Sequence, residues 1–541
     1  MEKVTGNIVD VFAREIYPGE VFFQDGRIVD VVRNSEKYEQ YICPGFIDAH
    51  VHVESSMLTP FEFSRLVISK GTVAVVCDPH EIANVMGVSG VEFMQNDAED
   101  ALVKMFFGIP SCVPATPFDS AGSEILSEDV CRLAASGRFV ALSEMMNVPG
   151  VLNGDPEVVA KLKVAQKFGL RIDGHAPGLS GDDLKKYVAA GIETDHESSS
   201  LSEALEKISQ GMKIIIREGS AARNYEALKM LLASHPGDVM FCTDDAHPDD
   251  LIENGHIDKL VRKAVKDGYE LFDVLRAASL NPVKHYRLDV GLLQKGDFAD
   301  FIILENLETF EILSVYIQGV EKYKKGRKQP FSLREKSPHE FVNRFYHDEI
   351  RPEEIQKSIS DKITCIKVYD GELVTGRLEF PAENPLLNFQ SDPERDILKI
   401  VYINRYKNLP PQVAFIHGFG LKSGAFATSV AHDSHNILAV GCNDCDLVAA
   451  VNSVIRNKGG LAIADADFVA DLPLPIGGIM SDKSGVEVAS VYKSMNEQLK
   501  NRGCILKAPF MTLAFMSLIV IPDLKIGEKG LFGFKEFCFI S

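Results

Sequence analysis

Excess positive charge is the first thing the 541-residue chain lacks: 57 Lys and Arg stand against 77 Asp and Glu, a net charge of −20. A polyanionic partner such as DNA or RNA is disfavoured, because binding one relies on clustered cations. Long apolar runs are missing too. The longest, 513–521, is interrupted by Ser517 and is too short to span a bilayer, so it reads as a buried core segment. Residues 1–6 show neither a basic nor an apolar signal region, so no secretory signal is expected. Cysteine is sparse. The ten cysteines follow no regular framework and read as reduced thiols, which favours a cytoplasmic setting. There is no GxxxxGK[ST] phosphate loop and no well-placed GxGxxG, so neither ATP nor NAD is implied.

The composition that remains, 45% apolar and 25% charged, is that of a globular protein able to bury a large core. Between about 43 and 285, eight apolar strand-like runs alternate with helical segments: 46–53, 72–78, 105–112, 139–145, 170–174, 191–195, 212–217 and 239–243. Eight β-then-α units of this size predict a (β/α)8 barrel. Short alternating strands before it (1–42) and after it (286–330) predict one small β-sandwich domain built from both flanks. A charged connector is expected over 331–359 and a separate α/β domain over 360–541.

Candidate metal ligands cluster at the ends of those strands. His50 and His52 end the first, Asp78, His80 and Glu81 follow the second, and Glu144 ends the fourth. His175 and His196 follow the fifth and sixth, and Asp244 and Asp245 end the eighth. In a barrel these ends converge on one mouth. Residues at i and i+2 of a strand face the same way, so His50 and His52 can grip one cation. Two further histidines can hold a second, with Glu144 bridging, while Asp244 can both ligate and accept a proton from water. A hydrogen-bonded polar network at the mouth is the alternative, but the opposite strand ends carry nothing equivalent. Mixed imidazole and carboxylate ligands suit Zn, Fe or Mn.

Three smaller motifs are present. His52-Val53-Glu54 matches half of the zinc nucleobase-deaminase pattern, but the PCxxC half is absent, which excludes that fold. His432-x-x-His435 followed by Cys442-x-x-Cys445 has ligand types for a structural zinc; the competing reading is a polar loop at the active-site rim or a subunit contact. The run Ser198–Ser200 reads as a helix cap in preference to a substrate contact.

The segments PGFIDAHVHVESSMLTP from Pro44 and DPHEIANVMG from Asp78 resemble the amidohydrolase superfamily. With SEMMNVPGV, DGHAPGLSG, TDHES, CTDD, HDSHN and PLPIGGIMSD, the likeness narrows to the adenine deaminase family of bacteria and archaea and spans nearly the whole chain. That resemblance implies a hydrolase acting on adenine, with water added and ammonia lost by way of a two-metal hydroxide, in purine salvage. It implies two divalent ions per chain, Mn or Fe ahead of Zn. His50, His52 and Asp244 would hold one, His175 and His196 the other, and Glu144 would bridge where many superfamily members use a modified lysine. Asp244 would take the water's proton. Glu81 would protonate the ring nitrogen, its pKa raised in a partly dry mouth; the competing role is to support His80 or a ligand histidine. Asp245 is expected to support the ligands. A homo-oligomer is implied, with no nucleic-acid or membrane partner. The alternatives are a cyclic amide hydrolase of the dihydropyrimidinase or hydantoinase type, and a metal-free, non-catalytic barrel.

Overall fold

The computed structural model describes residues 1–118, 120–327, 343–359, 362–382 and 389–540. The eight expected barrel strands are present. Five pair in parallel in the order Phe46–Val51, Thr72–Cys77, Lys104–Ile109, Phe139–Met145 and Arg171–Gly174. Three more follow: Thr194–Asp195, Lys213–Arg217 and Val239–Cys242. The two sheets join at both seams. Glu193 N donates to Ile172 O (2.9 Å) at one. At the other, Asp244 N donates to His50 O (3.0 Å) and His52 N to Asp244 O (3.1 Å). The strands are apolar almost throughout because helices cover their outer side and side chains fill the inside; TVAVVC is buried at every position.

Local chemistry sets the helices. Asp155 caps Pro156–Phe168 by accepting from Glu157 N and Val158 N, and Gly169, at φ +68°, ends it. Ser200 caps Leu201–Ser209 by accepting from Glu203 N, as expected of the serine run.

The flanking strands form one seven-stranded sheet. Glu2–Asp10, Glu15–Gln24, Arg27–Arg33 and Tyr41–Pro44 come from the start of the chain, and Phe301–Leu304, Ile312–Ile317 and Val320–Lys324 from beyond the barrel. Alternation divides its faces. Ile8 and Ile42 pack with Phe23, Ile28 and Phe301, whereas Val9 and Cys43 join the core of the barrel.

Beyond it lies an eight-stranded sheet, with Leu398–Ile403 and Ile437–Gly441 at its centre. The same period-2 logic applies. Val401 and Ile403 pack under helix Asp444–Arg456, against Leu447, Ala450 and Val454. Ile400 and Tyr402 point the other way and belong to the barrel's apolar core. At about 1.5–3 kcal/mol for each fully buried aliphatic side chain, this shared face is a strong bond between barrel and sheet. Of the charged connector expected over 331–359, residues 331–342 lie outside the described residues. The stretch 343–359 is packed rather than solvated, with Phe345, Ile350 and Ile355 buried in the cluster under that helix. The run 513–521 is buried as expected, apart from the half-buried Val520.

Among the described residues no helix is long and apolar enough to cross a membrane, and all ten cysteines are free.

Candidate metal centre and active site

The strand-end residues meet. His50 lies near the end of the first strand and His52 just beyond it, and their Nε2 atoms lie 3.2 Å apart. Asp244 Oδ1 is 3.4 Å from His50 Nε2 and 3.0 Å from His52 Nε2. Asp244 reaches this point with a left-handed backbone (φ +58°), which lets its N–H and C=O bond the first strand on either side of Val51. Such a conformation is costly for a residue other than glycine and is typical of functional sites.

Glu144 stands between two groups of imidazoles. Its Oε1 is 3.2 Å from His52 Nε2 and 3.9 Å from His50 Nε2. Its Oε2 is 2.8 Å from His175 Nδ1 and 3.3 Å from His196 Nε2. The two oxygens therefore face different histidine pairs. All six side chains are buried.

Electrostatics follow from that crowding. Burial works to raise Glu144, but hydrogen bonds from His175, His196 and His52 hold it well below the usual carboxylate range. Asp244 is likewise pushed up by burial and held well down by the Arg217 charge and the two first-strand histidines. Burial and the neighbouring His196 lower His50.

These residues fit divalent cations. Imidazole nitrogens 3.2 Å apart, turned on the same carboxylate oxygens, need a proton or cation between them. Nε2 of His175 is buried with no partner. Several groups of three or four donors lie close enough to share one ion, among them His50, His52 and Asp244, and His50, Glu144 and His196. The mixed nitrogen and oxygen donors suit a first-row metal.

Glu81 departs from expectation. Burial favours its neutral form, but His432, His435 and His80 outweigh that and hold it well below the ordinary range instead of raising it. Both histidines come from the C-terminal sheet, one on each oxygen of Glu81. They are therefore not partners of Cys442 and Cys445. Strand Ile437–Gly441 separates the pairs, which at ~3.3 Å per residue puts them roughly 20 Å apart. Asp245 accepts from Ser55 Oγ (2.5 Å) and is raised by burial and by Asp244.

Several site residues escaped the sequence reading. Arg217, ending the seventh strand, bonds Asp244 Oδ2 and Glu197 Oε1. Glu197 Oε1 is also 3.4 Å from His196 Nε2 and 3.6 Å from His175 Nδ1. His80, by contrast, is among the strand-end candidates read from the sequence, and its Nδ1 lies 3.0 Å from Asp78 Oδ2 and 3.4 Å from Glu144 Oε1. The rule that found the ligands would have found Arg217 and Glu197, since both sit at strand ends. Asp433, Leu373, Phe515 and Leu518 carry no such signal; they come from the C-terminal part of the chain. With Met146 they help line a pocket over the histidine cluster. The four apolar side chains, Met146, Leu373, Phe515 and Leu518, stand beside a lining otherwise made of ionisable groups, which gives a small flat substrate both a surface and polar partners.

The amidohydrolase family profile matches residues 41–322, and the adenine deaminase C-terminal domain profile matches 372–538. The chain is 52% identical over 551 residues to the adenine deaminase of Methanosarcina acetivorans, covering all of this chain and 99% of that protein. It is 48% identical over 544 residues to the adenine deaminase of a Sulfurovum species, with the same coverage. Among solved structures, a β-aspartyl dipeptidase from Fervidobacterium islandicum aligns over 61% of this chain and 98% of its own, at 17% identity and a TM-score of 0.46.

Proposed function

The chain belongs to the adenine deaminase family of amidohydrolases, and on that premise we propose that it hydrolyses adenine to hypoxanthine and ammonia. The observation that carries this reading is the full-length match to adenine deaminases, which runs through the barrel and the C-terminal sheet alike.

His50, His52 and Asp244 would hold one divalent ion, His175 and His196 would hold a second, and Glu144 would serve both. Such ions, when bound, would lower the pKa of water and offset charge developing on the substrate. Manganese or iron is favoured, with zinc next. Asp244 accepts the water's proton on a carboxylate that Arg217 keeps ionised. Glu81, ionised at rest, takes a proton from water in the site and passes it to the ring nitrogen beside the amine-bearing carbon, and the proton accepted by Asp244 leaves with the ammonia. The Met146, Leu373, Phe515 and Leu518 walls exclude bulk water and face the flat ring.

We read 43–285 as the barrel, 1–42 with 286–330 as one β domain, and 360–541 as the C-terminal domain. A cytoplasmic homo-oligomer acting in purine salvage, on this small molecule and on neither nucleic acid nor membrane, completes the proposal.

Ammonia release from purified protein tests it, with the protein reconstituted separately with Fe(II), Mn(II) and Zn(II). Adenine, adenosine, cytosine, guanine, dihydrouracil and hydantoin are supplied in parallel. Turnover of adenine with hypoxanthine formed is the expected result. Silence on adenine with turnover of hydantoin or dihydrouracil would replace the substrate while keeping the barrel and its metals.

A further inference from the structure

The motif His432-Asp433-Ser434-His435-Asn436 lies in the C-terminal part of the chain, yet its two histidines end on a barrel side chain. His432 Nδ1 meets Glu81 Oε1, and His435 Nε2 meets Glu81 Oε2. Both rings are buried. The tautomer of His435 follows from its other nitrogen. Nδ1 accepts the Ala431 backbone N–H at 3.2 Å, so the ring proton sits on Nε2 and is donated to Glu81. His432 meets the carboxylate through the opposite nitrogen.

The segment carrying them is fixed. His432 N donates to Ala514 O (3.0 Å), and its ring stacks on Phe515 with centroids 4.7 Å apart and planes at 18°. Tyr406 Oη donates to Ser434 O (2.6 Å), and Asn436 Nδ2 donates to Ser120 O (2.8 Å) on the barrel. Two imidazoles on rigid supports thus meet the two oxygens of one carboxylate.

We propose that His432 and His435 are positioning residues for Glu81, each donating one N–H to one of its oxygens, His432 through Nδ1 and His435 through Nε2. The C-terminal sheet thereby aims the barrel's proton carrier. This inference rests on the reading of Glu81 as that carrier.

Amide side chains test it, because Asn places an N–H near the position of a histidine Nδ1 and Gln near that of Nε2. Four variants are made in the full-length, metal-loaded chain: the matched H432N and H435Q, and the mismatched H432Q and H435N. Matched variants are expected to keep kcat within about threefold, while mismatched ones lose about 10²-fold, the scale of a carboxylate misplaced by about 1 Å. KM for adenine and bound metal are expected to stay at wild-type values. Equal kcat for matched and mismatched variants overturns the proposal.

A second readout covers variants that fold poorly. Added to E81Q, H435N is expected to cost nothing more, because its effect runs through Glu81; a further loss as large as in the wild-type background overturns the proposal. Wild-type protein that releases no ammonia from adenine refutes the functional reading itself. Active wild type with no matched-to-mismatched difference refutes only the positioning role.

Discussion

The hydroxyl of Tyr492 lies 2.6 Å from Nδ1 of His247. Tyr492 is on helix Gly485–Asn501 of the C-terminal part, and His247 is on the loop after the eighth barrel strand. Their rings meet edge-on, with centroids 4.6 Å apart. Burial lowers the imidazole to about 3, so it is neutral at pH 7 and the bond joins two uncharged groups. Tyr492→Phe strands a buried ring nitrogen. The expected cost is about 1–3 kcal/mol, read as a lower urea midpoint with unchanged slope. An unchanged midpoint would mean the two parts do not depend on this contact.

Glu144→Gln removes the charge that faces both histidine pairs. Bound metal, measured by elemental analysis, is expected to fall below the wild-type content, and turnover to be lost. Full turnover with wild-type metal content would remove Glu144 from the bridge. Chelation of the wild type is expected to lower the melting temperature as well as activity, because a ligand that binds only the folded state stabilises it.

Glu81→Gln keeps the shape of the side chain but not its exchangeable proton. Metal content is expected to stay constant while turnover falls by roughly 10²–10⁴, the usual cost of losing a general acid or base. Loss of metal instead would make Glu81 part of the metal site.

His285 supplies a pH test away from the metal centre. Burial, with Arg171 and Lys213 nearby, lowers it to about 3, and its Nε2 has no partner. Below the ordinary histidine pKa the unfolded chain takes up a proton that the folded one refuses, so this group costs stability as pH falls. A His285→Gln variant is therefore expected to gain on the wild type below pH ~6.5, by about 1.4 kcal/mol per pH unit, levelling near pH 3. Urea unfolding at a series of pH values checks it. A pH-independent difference would show that His285 does not titrate across the transition.

The barrel and its ligands were legible because both follow a short-range rule. Parallel strands covered on both sides read as apolar runs, and active residues sit at their ends. That rule led to His50, Glu144, His175, His196 and Asp244 without any knowledge of pairing. It applies equally to Arg217 and Glu197, which are not among the candidates singled out from the sequence. The partners of Glu81 were hidden for a different reason. His432 is 351 residues from Glu81, and no local pattern states which sheet face will close over a barrel. The proximity of Cys442 and Cys445 suggested a partnership that an intervening extended strand forbids. The packing of the connector is masked for a similar reason: charged residues surround Phe345, Ile350 and Ile355, which are spaced through it for burial.

The strand Leu398–Ile403 lends alternate side chains to two different cores. In modular terms, the barrel here is not a cassette. Cut free of its companion sheet, it would present a bare greasy flank to water and to its own copies, and would precipitate before its chemistry could be assayed. Recombination that exchanges catalytic barrels among relatives must carry the matching sheet along, so the two segments should be inherited as a single piece.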